Sequence, residues 1–431
     1  MTDTPLTDAL AQFALAADPA PEAQKIMQLS LLDWIAVARA GREEPVAQAV
    51  RALAREEGGA QVANLLGDAL KVPPRMAALV NGTIGHALDY DDTHFAHIGH
   101  PSTVIVPAVL AVGQAMEASG QAVQQAALIG VEASVRVGLW LGRGHYQVGY
   151  HQTATAGAFG AALACARLLG LSLDQTRAVL GLCATRASGL KSQFGTMAKP
   201  FNAGLAASNG VEAALLVKHG MAPNVAGLEC VQGFGDTHHG VGDLSALKGL
   251  GQAWRFIDVS HKFHACCHGL HATLEAFQPF RSRASEIAEI AVRTHSRWLR
   301  VCNIANPVDG LECKFSYAQV LAMAAHGHDT AVIGSYTAQA AQDAELAGFR
   351  QKVQVTGDDA LTETEAHLTL RLTDGSETVL THDLLSPMSY EARRDKVRAK
   401  ARALLGAPQE AEVWGRITSH APAGDLAALL P

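Results

Sequence analysis

Aromatic and charged residues are both scarce in this 431-residue chain. Phe, Trp and Tyr make up 5% and Asp, Glu, Lys and Arg 17%, against a hydrophobic share of 48%. That share argues against intrinsic disorder, and 40 Gly with 16 Pro are too few for a fibrous repeat. An excess of positive charge is missing too. The formal net charge is −7 with no basic cluster, which argues against nucleic-acid binding and against adhesion to a membrane surface. Long apolar runs are absent: Val104–Met116 and Ala156–Leu173 are short or interrupted by Gly and Arg167, so no membrane span is expected. The first residues, MTDTPLTDALAQFALA, have neither the basic nor the apolar region of a secretion signal. Seven cysteines, at 165, 183, 230, 266, 267, 302 and 313, form no small-scaffold spacing and read as reduced thiols of a cytoplasmic protein. No G-x-G-x-x-G, G-x-x-x-x-G-K-[ST] or G-x-S-x-G motif is present, so nothing supports a nucleotide cofactor or a serine nucleophile elbow.

What is present is Ala, Leu and Gly in helical periodicity up to about residue 250. Helices are expected at Thr4–Ala16, Pro21–Ala40, Glu44–Glu56, Pro74–Tyr90, Thr103–Ala118, Val123–Leu141, Thr153–Leu169, Leu173–Ala187 and Ala203–His219. Small residues on facing helices allow close packing, so the aromatic scarcity and a tight helical bundle go together. After about Trp254 the pattern changes. Ile287–Thr294 and Lys352–Thr356 are rich in strand formers, and His367–Leu372 alternates with period two. Asp374–Gly375 then supplies a hairpin turn into Glu377–Thr381. Helices at His268–Pro279, Ser316–His326 and Ala338–Ala347 are interleaved. The fold class expected is therefore mainly α with a second α+β domain: an all-helical domain at 1–252, a smaller α+β domain at 253–388, and a C-terminal helix at 389–431 that returns to the first.

Nineteen histidines are a surplus, and they cluster. In NGTIGHALDYDDTHFAHIGHPS, residues 81–102, the residues Asp89, Asp92, Thr93 and His100 can converge on a cleft at a helix end. In GHYQVGYHQTATAGAFG, His151 stands just before a helix start, where unpaired backbone N–H groups favour anions. In LKSQFGTMAKPFNAG, Lys199 precedes Pro200 at another helix start. A lysine there opposes the helix dipole unless an anion accompanies it. In HKFHACCHGLHATLE, residues 261–275, two thiols and four histidines raise the question of a metal. Neither this segment nor His94/His97/His100 completes a zinc signature, and no metal ligands are assigned.

These stretches, with CKFSYAQVLA and SPMSYE, resemble the MmgE/PrpD family in order along nearly the whole chain. That family includes 2-methylcitrate dehydratase, cis-aconitate decarboxylase and iminodisuccinate epimerase. The resemblance implies a large helical domain with an α+β lid, a homodimer, and cofactor-independent chemistry on a small di- or tricarboxylate. It places the D-x-x-D-T signature on Asp89, Asp92 and Thr93 and the following H-P-S on His100. His151, Lys199, Lys262 and His271 take the family's remaining site positions, and Lys314, Phe315 and Ser316 its K-F-S. Catalytic roles are expected for Asp89, Thr93, His100, His151, Lys199 and His271, with Asp92, Lys262 and Lys199 binding substrate. Proton removal next to a carboxylate needs charge neutralisation and a group that titrates near neutrality, which lysine and histidine supply. A dehydratase-type lyase is the first expectation. An epimerase or isomerase using the same proton abstraction without elimination, or a decarboxylase of the cis-aconitate type, is the enzymatic alternative, and a metal-binding protein built on the Cys/His segment is the non-enzymatic one.

Overall fold

In the computed structural model, residues 5–431 are described, so the expected helix start at Thr4 lies outside the described residues. The chain divides into two units. One comprises the chain up to His261 together with Leu405–Pro431, and the other Lys262–Leu404. The divisions expected from composition, at 252/253 and 388/389, lie elsewhere for an identifiable reason. Buried Arg136 donates to Ala253 O, and Glu132 Oε2 accepts from Phe256 N at 2.8 Å, which keeps the segment 253–261 with the first unit. Lys396 pairs with Glu275, which keeps most of the late helix with the second.

Among the described residues, the first unit up to residue 218 is built on the helices α1 (Leu6–Ala16), α2 (Pro21–Ala40), α3 (Pro45–Glu57), α4 (Pro74–Gly85), α5 (Ser102–Ala115), α6 (Gly120–Gln147), α7 (Gln152–Leu168), α8 (Leu173–Ala184) and α9 (Ala198–Lys218). Proline at the first or second position starts α2, α3 and α4, where its missing N–H costs nothing. Ser172 starts α8 with a full capping box to Gln175. The helices touch through small residues. A Cβ on Gly160 would lie 2.3 Å from Gly130 O, and one on Gly204 would lie 2.1 Å from Leu79 O, so α6 meets α7 and α4 meets α9 at backbone distance. A hairpin, β1 (Ala63–Leu65) and β2 (Asp68–Val72), interrupts the helical unit; the sequence reading expected no strand there. Its turn is Leu66–Gly67, and Gly67 has φ of 68°, which a glycine adopts readily.

In the second unit, β3 (Ile287–Thr294), β4 (Val353–Gly357), β5 (Glu365–Leu372) and β6 (Glu377–Asp383) form one sheet in the order β4-β3-β5-β6. β3 and β4 are parallel and the other pairs antiparallel. Alternation puts Ala366, Leu368, Leu370 and Leu372 on the buried face of β5. Helices α10 (His271–Phe277), α11 (Tyr317–Ala325) and α12 (Ala344–Arg350) accompany it. The single helix expected over Ala338–Ala347 is broken, because the Asp343 carboxylate accepts from Glu345 N and Leu346 N and so starts a new helix there. α13 (Tyr390–Leu405) leads to α14 (Ala407–Thr418) and α15 (Ala423–Ala427), which belong to the first unit. Among the described residues, no helix is long and apolar enough to cross a membrane.

Candidate active site

The helix expected to continue to Tyr90 stops at Gly85, and the chain runs irregularly to Ser102. Asp89 adopts a φ of 50°, which turns the backbone so that the acidic residues after it face different neighbours. Asp91 points inward. Its carboxylate is fully buried, with both oxygens 3.0 Å from His86 Nδ1 and Oδ2 3.1 Å from His100 Nδ1. The His86 contact is a hydrogen bond; the His100 contact is close but oblique. Burial alone would favour the protonated acid, but the two imidazoles outweigh it and hold Asp91 well below the usual carboxylate range. Asp89 points outward and keeps 44% side-chain exposure. Its Oδ1 lies 2.8 Å from Lys199 Nζ and 3.3 Å from His100 Nε2.

Lys199 is the second residue of α9, and His151 is the N-cap of α7. Both helix starts therefore face the same place as the loop. The Phe194 ring links them: Lys199 Nζ is 5.4 Å from its centroid, and the His151 ring meets it edge-on at 5.0 Å. His86 occupies the middle, with ring centroids 4.5 Å from His100 and 5.9 Å from His151, and its buried Nε2 has no hydrogen-bond partner. Burial, chiefly, draws His100 down to about 4 and His151 well below the usual imidazole range. For His151, His86 and Lys199 act in the same direction, so both rings are neutral at pH 7.

Of the expected site residues, Asp89, His100, His151 and Lys199 converge here. Asp92 and Thr93 do not join them. Asp92 is buried; its carboxylate accepts from Ser102 Oγ at 2.6 Å and Ser102 N at 3.2 Å, and so holds the start of α5. Burial and the neighbouring Asp33 push it up to about 7. Thr93 is bridged by its backbone to Ser260, and its hydroxyl donates to Ser260 O at 3.4 Å. Lys262 and His271 belong to the second unit and are buried there. His271 Nε2 lies 3.3 Å from Cys266 O, with the rings of His264 and His268 edge-on at 5.1 and 4.8 Å. In that unit Glu275 is held down to about 2: burial pushes it up, but His264 Nε2 at 3.4 Å and Lys396 outweigh this.

His86, Asp91 and Asn202 were not singled out as site residues by the sequence. Of the two adjacent aspartates, the sequence points to Asp92, whereas the carboxylate that faces the histidines is that of Asp91. Asn202 Nδ2 donates to His151 Nδ1 and to Leu190 O, each at 3.3 Å; the residue stands three positions after Lys199 on α9, and that spacing was the available signal.

Among the described residues, one group of three or more His, Cys, Asp and Glu side chains brings its ligand atoms within 4.8 Å: His86, Asp89, Asp91 and His100. The Lys199 ammonium, 2.8 Å from Asp89, already supplies positive charge at its edge. The Cys266–Cys267 segment assembles no such group, and all seven cysteines are free thiols.

Comparison with known proteins agrees with this architecture. Cis-aconitate decarboxylase of Aspergillus terreus is 30% identical over 295 residues, covering 63% of this chain and 58% of that protein. A second such protein, from Aspergillus terreus strain NIH 2624, is 28% identical over 329 residues, covering 68% and 65%. The Homo sapiens cis-aconitate decarboxylase is 31% identical over 171 residues, covering 38% and 35%. The chain thus spans less than two thirds of the length of these relatives, 58% and 65% for the Aspergillus pair. The MmgE/PrpD N-terminal domain matches residues 6–246 and the MmgE/PrpD C-terminal domain residues 264–417, and the chain belongs to the MmgE/PrpD family.

Proposed function

We propose that this chain is a lyase of dehydratase type that acts on a small di- or tricarboxylate by removing a proton from the carbon next to a carboxylate. The observation that carries this is the Lys199 ammonium, seated on a half-exposed Asp89 and flanked by two histidines that are neutral at pH 7. A carbon acid of this kind is weak, so its anion must be stabilised by fixed charge and by donors in a site with little water. Lys199 would hold the substrate carboxylate, and a neutral imidazole would take the proton. No cofactor is needed for this step.

Loss of carbon dioxide is the second reading, favoured by the relatives above, which are cis-aconitate decarboxylases. It calls on the same ammonium, with the carbon–carboxylate bond breaking in place of the carbon–hydrogen bond; the electron pair stays on the substrate carbon, which then takes up a proton.

Incubation with 2-methylcitrate, cis-aconitate and related acids in deuterated water, followed by NMR, separates these outcomes. A new alkene marks elimination, loss of a carboxyl carbon marks decarboxylation, and deuterium exchange without either marks epimerisation. Lys199→Ala should lower kcat/KM about 10- to 100-fold, the worth of one charge-assisted contact. Turnover that survives this substitution unchanged, or no turnover with any di- or tricarboxylate, would overturn the proposal.

A further inference from the structure

The two site histidines face neighbours that treat a proton in opposite ways. Asp91 is an ionised, fully buried carboxylate and can only accept. A neutral imidazole turned toward it must carry its proton on the facing nitrogen. His100 has a carboxylate at each nitrogen: Nδ1 is 3.1 Å from Asp91 Oδ2 and Nε2 3.3 Å from Asp89 Oδ1. Asp89 is half-exposed and already paired with Lys199 Nζ at 2.8 Å, so the buried Asp91 is the stronger acceptor, the proton sits on Nδ1, and Nε2 is left bare. The Asp91 contact is oblique, and a catalytic contact of this kind tightens when substrate binds. His86 Nδ1 lies 3.0 Å from both Asp91 oxygens and so holds the carboxylate in place beside His100.

Asn202 does the reverse to His151. Its side-chain nitrogen donates to Leu190 O, and that carbonyl fixes which end of the amide faces inward. The same NH2 group lies 3.3 Å from His151 Nδ1. An amide NH2 cannot accept, so His151 Nδ1 must, and the single proton of the neutral ring sits on Nε2.

We propose that Asp91 and Asn202 are positioning residues that impose opposite tautomers on His100 and His151, making His100 Nε2 the base and His151 Nε2–H a neutral hydrogen-bond donor. This rests on the reading of the site as a proton-abstraction centre. In that step the substrate C–H bond breaks, and its proton bonds to His100 Nε2. The electron pair stays with the substrate and spreads into the adjacent carboxylate, whose oxygen His151 Nε2–H meets. His151 keeps its proton throughout, as a neutral imidazole acting as an electrophile does. The imidazolium formed at His100 then has a carboxylate at each nitrogen, Asp91 at 3.1 Å and Asp89 at 3.3 Å.

The test is a long-range proton–nitrogen correlation spectrum of the full chain carrying 15N-histidine, with His100 and His151 assigned from the spectra of His100→Gln and His151→Gln. At pH 7, His100 should show a protonated Nδ1 and a bare Nε2, and His151 the opposite pattern. Asn202→Asp places an acceptor beside His151 Nδ1 and should move the proton there. Asp91→Asn should release His100 from its single tautomer. Both variants should lose about 10²- to 10⁴-fold in kcat with KM within a few-fold, since they displace a proton-transfer group and leave carboxylate binding intact. The same tautomer on both rings of the unaltered protein would overturn the proposal, as would a His151 proton that stays on Nε2 in Asn202→Asp. The unaltered protein's spectrum decides the matter even if a variant fails to fold. The tautomers are read without substrate, so a failure of the lyase reading, seen as full turnover in His100→Gln, is distinguishable from a failure of this one.

Discussion

Replacing Gly204 by Ala puts the small-residue packing of the helical unit to a quantitative test. In an ordinary helix interior, Gly→Ala stabilises by about 0.5–1 kcal/mol, because alanine has less backbone freedom to lose. At Gly204 the added Cβ would lie 2.1 Å from Leu79 O and 2.1 Å from Thr83 Oγ1, the two partners of a 2.8 Å hydrogen bond inside α4. A carbon–oxygen contact is comfortable near 3.3 Å, so α4 and α9 would have to part by about 1 Å. The obstacle is a backbone carbonyl, not the end of a flexible side chain, so the strain falls at or above the top of the usual overpacking range of about 1–3 kcal/mol. Set against the propensity gain, Gly204→Ala should destabilise the first unit by about 2 kcal/mol. Gly415 is the control: it lies inside α14, and an added Cβ there would meet nothing within 4 Å. Gly415→Ala should stabilise by about 0.5 kcal/mol or more. Urea denaturation followed by far-ultraviolet circular dichroism reads both variants. If the two substitutions shift the midpoint in the same direction, the inference that α4 and α9 touch at backbone distance is wrong.

Arg136→Ala should cost about 3–5 kcal/mol in the same assay, because it strands a buried carboxylate. The guanidinium is fully buried, bonds Glu132 Oε1 at 2.6 Å, and donates to Ala246 O and Lys248 O at 2.8 Å. The Glu132→Ala, Arg136→Ala double variant should cost measurably less than the two singles together, and additivity would refute the coupling. Asp92 predicts a pH dependence. Its folded-state pKa of about 7 lies above the ordinary 3.8, so between these values the folded chain binds more protons than the unfolded chain. Its contribution to stability therefore falls as pH rises from about 4 to about 7. Asp92→Asn keeps an oxygen for Ser102 and should flatten that part of the pH–stability curve; an unchanged slope would show that Asp92 does not titrate there.

The helices and the sheet were legible because their signals are local. Proline starts, a serine cap and period-two alternation in β5 act within a few residues of themselves, and neighbours in space seldom override them. The hairpin at 63–72 was illegible for the complementary reason. Its strands bury only part of one face, and ANLLGDALKV lacks alternation and has Val72 as its single β-branched residue, leaving Gly67 as the turn signal. The site divides along the same line. Asp89, His100, His151 and Lys199 declared themselves by residue type at helix starts and loop turns, and helix ends are where functional groups can face outward.

Asp91, His86 and Asn202 gave no such sign, because what each does is defined by the atom it meets. Asp91 differs from Asp92 in the next position only in direction: one turns to two imidazoles and is held ionised, while burial and the neighbouring Asp33 push the other up to about 7 against the opposing hydrogen bond from Ser102. No composition or spacing separates two adjacent aspartates. The positive φ at Asp89 and the early end of α4 do, because together they rotate the backbone so that successive carboxylates face opposite sides of the loop. Residue type thus locates the chemistry, and backbone direction assigns it. The division holds wherever two identical side chains stand side by side at the edge of a buried cluster.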